Sequence, residues 1–261
     1  MATTALSSDL SQLTFGVELE CYLPTTHNHS SGARAVTDGG VECHAELYGH
    51  DTRSHWKVVT DGSLQNYTRG AEFVSPKLQG NEGLQQVTSV CNTLRSLRTR
   101  VSKRCGVHVH IDARQQDASF FINLLKLYTN NSQLIDQLVP PSRRGNTNPY
   151  CHNNSINRLR DNMTRSEVLR INGRNCKLNY EAFARHGTVE FRHAAGTIEA
   201  DKATYWIKFC MRLYLAALAG INQRFNSLAE LLTAIGANDD ERGWLLRRAE
   251  RLAAPQQQVA A

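Results

Sequence analysis

Three short segments of the 261-residue chain place ionisable side chains at alternate positions of otherwise apolar runs. In FGVELE (15–20), Phe15, Val17 and Leu19 alternate with Gly16, Glu18 and Glu20. In GVHVHID (106–112), His108, His110 and Asp112 alternate with Val107, Val109 and Ile111; in GTVEFRH (187–193), Glu190 and Arg192 alternate with Val189, Phe191 and His193. Strand side chains repeat every two residues, so each segment predicts a strand with one apolar and one ionisable face. Two carboxylates on one face repel unless that face meets solvent or a cation. Solvent exposure explains any one such strand. Three in one chain, accompanied by Asp61 in TDGS and Glu72 in AEFVSP, point to a shared polar cavity.

The donor types narrow the chemistry. Carboxylates predominate (Glu18, Glu20, Asp61, Glu72, Glu190), with one or two histidines, and such hard, oxygen-rich sets suit Mg2+ or Mn2+. Arg192 carries a permanent charge and a forked donor set suited to a phosphoryl oxygen. Metal and arginine clamps are the usual means of stabilising phosphoryl transfer. Neither a G-x-x-x-x-G-K-[ST] loop nor a helix-opening G-x-G-x-x-G is present, so bound ATP would be held by other means. CHAELYGHDTRSH (43–55) holds Cys43, His44, His50 and His55, but its spacing matches no standard zinc finger.

The elements that must position these residues follow from pattern. HWKVVTDGSL (55–64) predicts a short strand running into an Asp-Gly turn, and GAEFVSPKLQG (70–80) another strand stopped by Pro76. Apolar residues at 84, 87, 90, 94, 97 and 101 predict a helix from about 81 to 100. Residues 118–138 predict helix broken near Asn130–Asn131, and 178–197 a hairpin turning near His186-Gly187. Residues 201–222 form the most apolar helix, and 227–235 and 239–252 are amphipathic, the last capped by Asn238 or Asp239. Residues 26–40 are rich in Ser, Gly and Asn and predict a loop long enough to be a mobile cover. One domain over 13–252 is expected, with flexible ends at 1–12 and 253–261.

Bulk properties set the class. Lys+Arg exceed Asp+Glu by 30 to 24, and a net charge of +6 favours an anionic partner, nucleic acid or nucleotide-like. The 7 cysteines are scattered with no C-x-x-C pair, as free thiols in a reducing compartment would be. The N-terminus lacks a basic start followed by an apolar core, and no apolar run approaches the ~20 residues that span a bilayer. A cytoplasmic, non-membrane location is expected.

Taken in order, FGVELE, TDGSL, GAEFVSP, CGVHVHID, SRRGNTNPYC and LNYEAFARHGTVEFRHAAGT resemble the amidoligase family, within the carboxylate–amine ligase superfamily that includes glutamine synthetase and glutamate–cysteine ligase. The resemblance implies an α+β fold, with a curved, mainly antiparallel sheet forming a glutamine synthetase-like funnel backed by helices. It implies ATP and Mg2+ (or Mn2+) on the inner wall. Glu18, Asp61 and Glu72 look like ligands of the metal near the reacting carboxylate, His108 and Glu190 of the metal on the ATP phosphates, and Glu20 of a third. Arg192, beside Glu190, looks like the catalytic arginine on the transferred phosphoryl group, and Arg143 or Arg144 like a phosphate or substrate-carboxylate ligand. The roles of His110 and Asp112 stay open. The implied reaction is ATP-dependent amide formation through an acyl phosphate, from small-molecule or peptide carboxylate and amine substrates. Two alternatives remain: a metal-dependent hydrolase, since H-x-H-x-D also suits water activation, and a basic nucleic-acid-binding module.

Overall fold

The computed structural model describes residues 9–64 and 69–254. In chain order the elements are β1 (Thr14–Tyr22), α1 (His29–Asp38), β2 (Cys43–Ala45), β3 (Trp56–Val59), β4 (Gly70–Val74), β5 (Leu78–Gln79), α2 (Gly80–Ser96), β6 (Gly106–Asp112), α3 (Ala118–Asn130) and α4 (Ser132–Asp136). They continue with α5 (Arg165–Val168), β7 (Leu178–Asn179), α6 (Ala182–His186), β8 (Thr188–Ala195), α7 (Ala200–Leu218), α8 (Leu228–Ala234) and α9 (Asp239–Ala253). The strands form one open sheet in the order β2-β3-β4-β1-β6-β8-β7, with β5 pairing to β1. The β2–β3 pair is parallel and every other pairing is antiparallel. The result is a mixed α/β fold with a mostly antiparallel sheet.

The alternation of the sequence becomes the two faces of this sheet. Phe15, Val17 and Leu19 of β1, Val107, Val109 and Ile111 of β6, and Val189 and Phe191 of β8 are buried in a single core with the apolar sides of α2, α3 and α7. α7 packs on both α2 and α3, and α8 and α9 close the far side. A buried Arg212–Glu241 pair (Nε to Oε2 2.8 Å) ties α9 to α7. Gly83 lets α2 approach β1 and β5: a Cβ there would sit 2.8 Å from Leu78 Cβ and 3.0 Å from Phe15.

Residues 26–40 depart from expectation: the segment is helical, not a mobile cover. Asn28 and Ser31 form a capping box, and Gly32, Ala33 and Val36 are buried. Gly32 is a contact point, since a Cβ would lie 3.1 Å from Leu23. Ser, Gly and Asn here serve as cap and close-packing residues, which composition alone reads as loop. The 178–197 hairpin is present as β7 and β8, with the short helix α6 inserted and Gly187 (φ 69°) turning the chain in the left-handed region. Of the expected flexible ends, 1–8 and 255–261 lie outside the described residues; Leu10–Gln12 form a 3-10 turn capped by Asp9, and Ala253 completes α9. No helix among the described residues is long and apolar enough to cross a membrane.

Candidate active site

The ionisable face of the sheet forms one wall of a cavity of about 720 Å³. Strand register assembles that wall. Glu18 of β1 lies opposite His108 of β6, Glu20 opposite Glu72 of β4, and His110 of β6 opposite Glu190 of β8. Glu18, Glu20, Asp61, Glu72, His108, Glu190 and Arg192 all line the cavity, as do His110 and Asp112. A one-residue slip in any of these pairings would turn the acids into the core, so burial of the apolar face fixes the site.

At the centre, Glu18 Oε2 is 2.8 Å from His108 Nδ1, and Glu18 Oε1 is 3.3 Å from His110 Nε2. Glu20 Oε2 accepts from the Gly106 backbone N–H (2.6 Å), and its Oε1 is 3.5 Å from His108 Nε2. Asn179 of β7 donates to Glu190 Oε2 (2.5 Å), while Arg192 pairs with Glu190 Oε1. His110 Nδ1 meets Thr188 Oγ1 at 3.0 Å.

These donors fall into three overlapping sets whose atoms lie within 4.8 Å of one another: Glu18, Glu72 and His108; Glu18, His110 and Glu190; and Glu20, Asp61 and Glu72. In these sets Asp61 stands with Glu20 and Glu72, and His110 with Glu18 and Glu190. His110, whose role the sequence leaves open, therefore stands among the candidate ligands.

The electrostatics are those of acids crowded on one wall. Burial pushes the Glu72 carboxyl well above the usual range, and the charges of Glu18, Glu20 and Asp61 push it further. Burial also raises Glu20, against the opposing pull of His108. Burial works the same way on Glu18, but the imidazoles of His110 and His108 outweigh it and hold Glu18 well below that range. Burial resists charge on His110, yet Glu18 and Glu190 raise its affinity for a proton. Among the described residues no lysine or arginine forms an ion pair with Glu18, Glu20 or Glu72. Buried carboxylates crowded together are costly unless protonated, paired or bound to a cation, and these oxygen-rich donor sets fit a hard divalent ion.

The remaining expected residues divide. Arg143 reaches the cavity but is buried, with Nη2 donating to Cys105 O (2.5 Å) and Arg104 O (3.3 Å). Its guanidinium thus braces the 140–155 loop against the start of β6. Arg144 lies away from the cavity and donates to Val139 O (2.9 Å) and Leu252 O (3.3 Å), fastening α9 to the loop. Asp112 is paired with Arg114 (Nε to Oδ1 2.9 Å) at the cavity edge. Asn179, Thr188 and His186 were not singled out from sequence although all line the cavity. Asn179 carried no sequence signal, because its place opposite Glu190 is set by the β7–β8 pairing.

Beneath the site lies a network centred on the buried Lys177, His193 and Tyr128. Lys177 Nζ donates to Asp136 Oδ1 (2.6 Å) and Asn153 Oδ1 (2.7 Å), and His193 Nε2 is 2.9 Å from Asp136 Oδ1. Tyr128 Oη is 2.9 Å from His193 Nδ1, and Arg192 N donates to Lys177 O (2.7 Å). Together these contacts hold β8 against α3, α4 and the 140–155 loop.

The family model described as "Putative amidoligase enzyme" matches residues 11–214, a span that holds all eight described strands and every residue lining the cavity. No curated protein matches the chain. With the match covering most of its length, and with the site carried inside the matched span, the chain belongs to the amidoligase family.

Proposed function

We propose that this chain is an ATP-dependent carboxylate–amine ligase that activates a carboxylate as an acyl phosphate and passes the acyl group to an amine. The coarser part, a ligase-type enzyme, rests on the family. The finer part rests mainly on one observation: three contiguous carboxylate and imidazole sets share a cavity wall with Arg192. The same placement favours the funnel-shaped, glutamine synthetase-like form of the sheet.

Mg2+ or Mn2+ held by Glu18, Glu20, Asp61, Glu72, His108, His110 and Glu190 would offset charge between two anionic reactants and polarise a phosphoryl oxygen. The chain's own groups supply the rest. Arg192 is anchored at the cavity wall by Glu190 and by Tyr150 O (Nε to O 3.4 Å), which sets its forked donors for a charged phosphoryl group. Asn179 and the Gly106 N–H fix the orientation of Glu190 and Glu20, so these carboxylates are held before any ligand arrives. Small-molecule or peptide acids and amines are the substrate classes for such a cavity.

Arg192→Ala is expected to retain the fold and ATP binding, and Glu190→Ala the fold, each lowering turnover by about 10²-fold or more, the usual effect of losing one charge-stabilising group. ADP release with pooled carboxylates and amines is the assay. ATP-independent hydrolysis of amide or phosphoester substrates, undiminished in Arg192→Ala, would replace the ligase with the metal-dependent hydrolase.

A further inference from the structure

Within the segment 43–55, Cys43 is buried in the core. Its neighbours nevertheless assemble a different donor set at the sheet edge. Glu42 and His44 lie two positions apart and so project to one side of β2. The parallel β2–β3 pairing sets Cys43 against Trp56, and Trp56 N donates to Glu42 O (3.0 Å), which brings His55 alongside them. Glu42 Oε1 is 3.0 Å from His44 Nε2, and the His44 and His55 rings meet edge to face with centroids 4.3 Å apart. One donor atom from each of Glu42, His44 and His55 lies within 4.8 Å of the other two. None of the three lines the acidic cavity.

We infer that Glu42, His44 and His55 form a second metal site, for an ion of the Zn2+ class, that clips the base of the 46–55 loop. Two imidazoles and one carboxylate are a borderline donor set, unlike the oxygen-rich cavity, and three protein ligands leave a fourth tetrahedral position for water. Tetrahedral bonds of about 2.0–2.2 Å place donors roughly 3.3–3.5 Å apart. Rotamer changes at the exposed Glu42 and His44 can close that gap. Behind the set, His55 Nε2 is 3.0 Å from Glu46 Oε1, and Arg53 Nε holds Glu46 at 2.9 Å. A carboxylate behind a metal-bound imidazole orients the ring and raises its basicity.

The position gives the site a consequence. Glu42 and His44 precede the loop and His55 ends it, while Tyr48, His50 and Asp51 within it line the cavity. Lys57 Nζ already holds the loop from the sheet, donating to Gly49 O and Asp51 O at 2.8 Å each. A metal at the base would fasten both ends of a segment that forms part of the cavity wall.

The test is a Zn2+ titration of the chelator-stripped full chain by calorimetry, with Co2+ absorption reporting coordination number. His44→Ala, His55→Ala and the cavity variant Glu72→Gln are compared with the parent. At least about tenfold weaker Zn2+ binding in both histidine variants, with the same site unaffected in Glu72→Gln, is expected. Zn2+ should also slow tryptic cleavage after Arg53 in the parent but not in His44→Ala. Equal Zn2+ affinity in the parent and both histidine variants, or loop cleavage indifferent to Zn2+, would overturn the assignment. Because no substrate is added, either outcome is independent of the ligase activity.

Discussion

At the residue scale, the crowded acids of the cavity cost stability that the proposed cations would restore. Glu72 is held above the usual carboxylate range by burial and by Glu18, Glu20 and Asp61, so the metal-free folded state binds its proton more tightly than the unfolded chain does. Its favourable contribution is therefore complete at acid pH and is lost as pH rises through the raised value. Glu72→Gln is expected to stabilise the metal-free protein at neutral pH, by on the order of 1 kcal/mol or more, while weakening stabilisation by Mg2+ or Mn2+. In the parent, a cation at a hundredfold its Kd adds about 2.7 kcal/mol. Thermal melts of both proteins with and without metal check this. His193 acts in the opposite direction. Burial, aided by the Lys177 charge, outweighs Asp136 and lowers its pKa from 6.5 to about 4. The unfolded chain then takes up a proton before the folded one, and stability present above pH 6.5 is lost as pH falls towards 4. This one group accounts for roughly 3 kcal/mol across that interval. Urea unfolding across the interval should show the loss, and His193→Gln should flatten it. Alternation identified His193 as the inward neighbour of Arg192, but sequence held no sign of its partners Asp136, Lys177 and Tyr128, which lie far away along the chain.

At the element scale, what the sequence displays best is periodicity, and the cavity wall is made of it. Glu18, Glu20, His108, Glu190 and Arg192 were legible because each sits opposite a buried neighbour on a strand whose apolar face must pack. Pairing between strands was not legible, so the sequence did not place Asp61 beside Glu20 or His110 beside Glu18 and Glu190. An Arg-rich loop offers two adjacent guanidiniums, and packing decides that Arg143 lines the cavity while Arg144 donates to Val139 O and Leu252 O. α1 escaped notice because cap and contact residues have the composition of a loop. Its capping box gives a direct check: Asn28→Ala should lower stability by about 1 kcal/mol in urea unfolding and leave turnover unchanged. Gly106→Ala should do the reverse. The added methyl would lie 2.8 Å from His108 Nε2 and 3.3 Å from Arg143 Nη2. It should displace the imidazole and weaken Mn2+ binding by about tenfold, with a smaller change in the melting temperature.

At the scale of the whole molecule, one open sheet carries both halves of the design. Its apolar face and the helices α2, α3 and α7 provide the core, and its other face concentrates acidic side chains that folding alone would not favour. The cavity gathers the buried Glu20, Glu72 and Glu190 and the partly buried Glu18 on one wall, and arginines, Arg192 among them, line the same cavity. Such a mixed wall suits the proposed reaction, in which two anionic reactants would be brought together by metal and arginine. The decisive measurement follows the oxygen. The acid that supports ADP release is prepared with 18O in its carboxylate and turned over with ATP, Mg2+ and the amine, and the released phosphate is analysed by mass. One 18O per phosphate is the expected result, because attack on ATP by a carboxylate oxygen leaves that oxygen on phosphorus when the amine displaces it. Phosphate carrying no label while amide accumulates would contradict activation of the carboxylate by phosphoryl transfer.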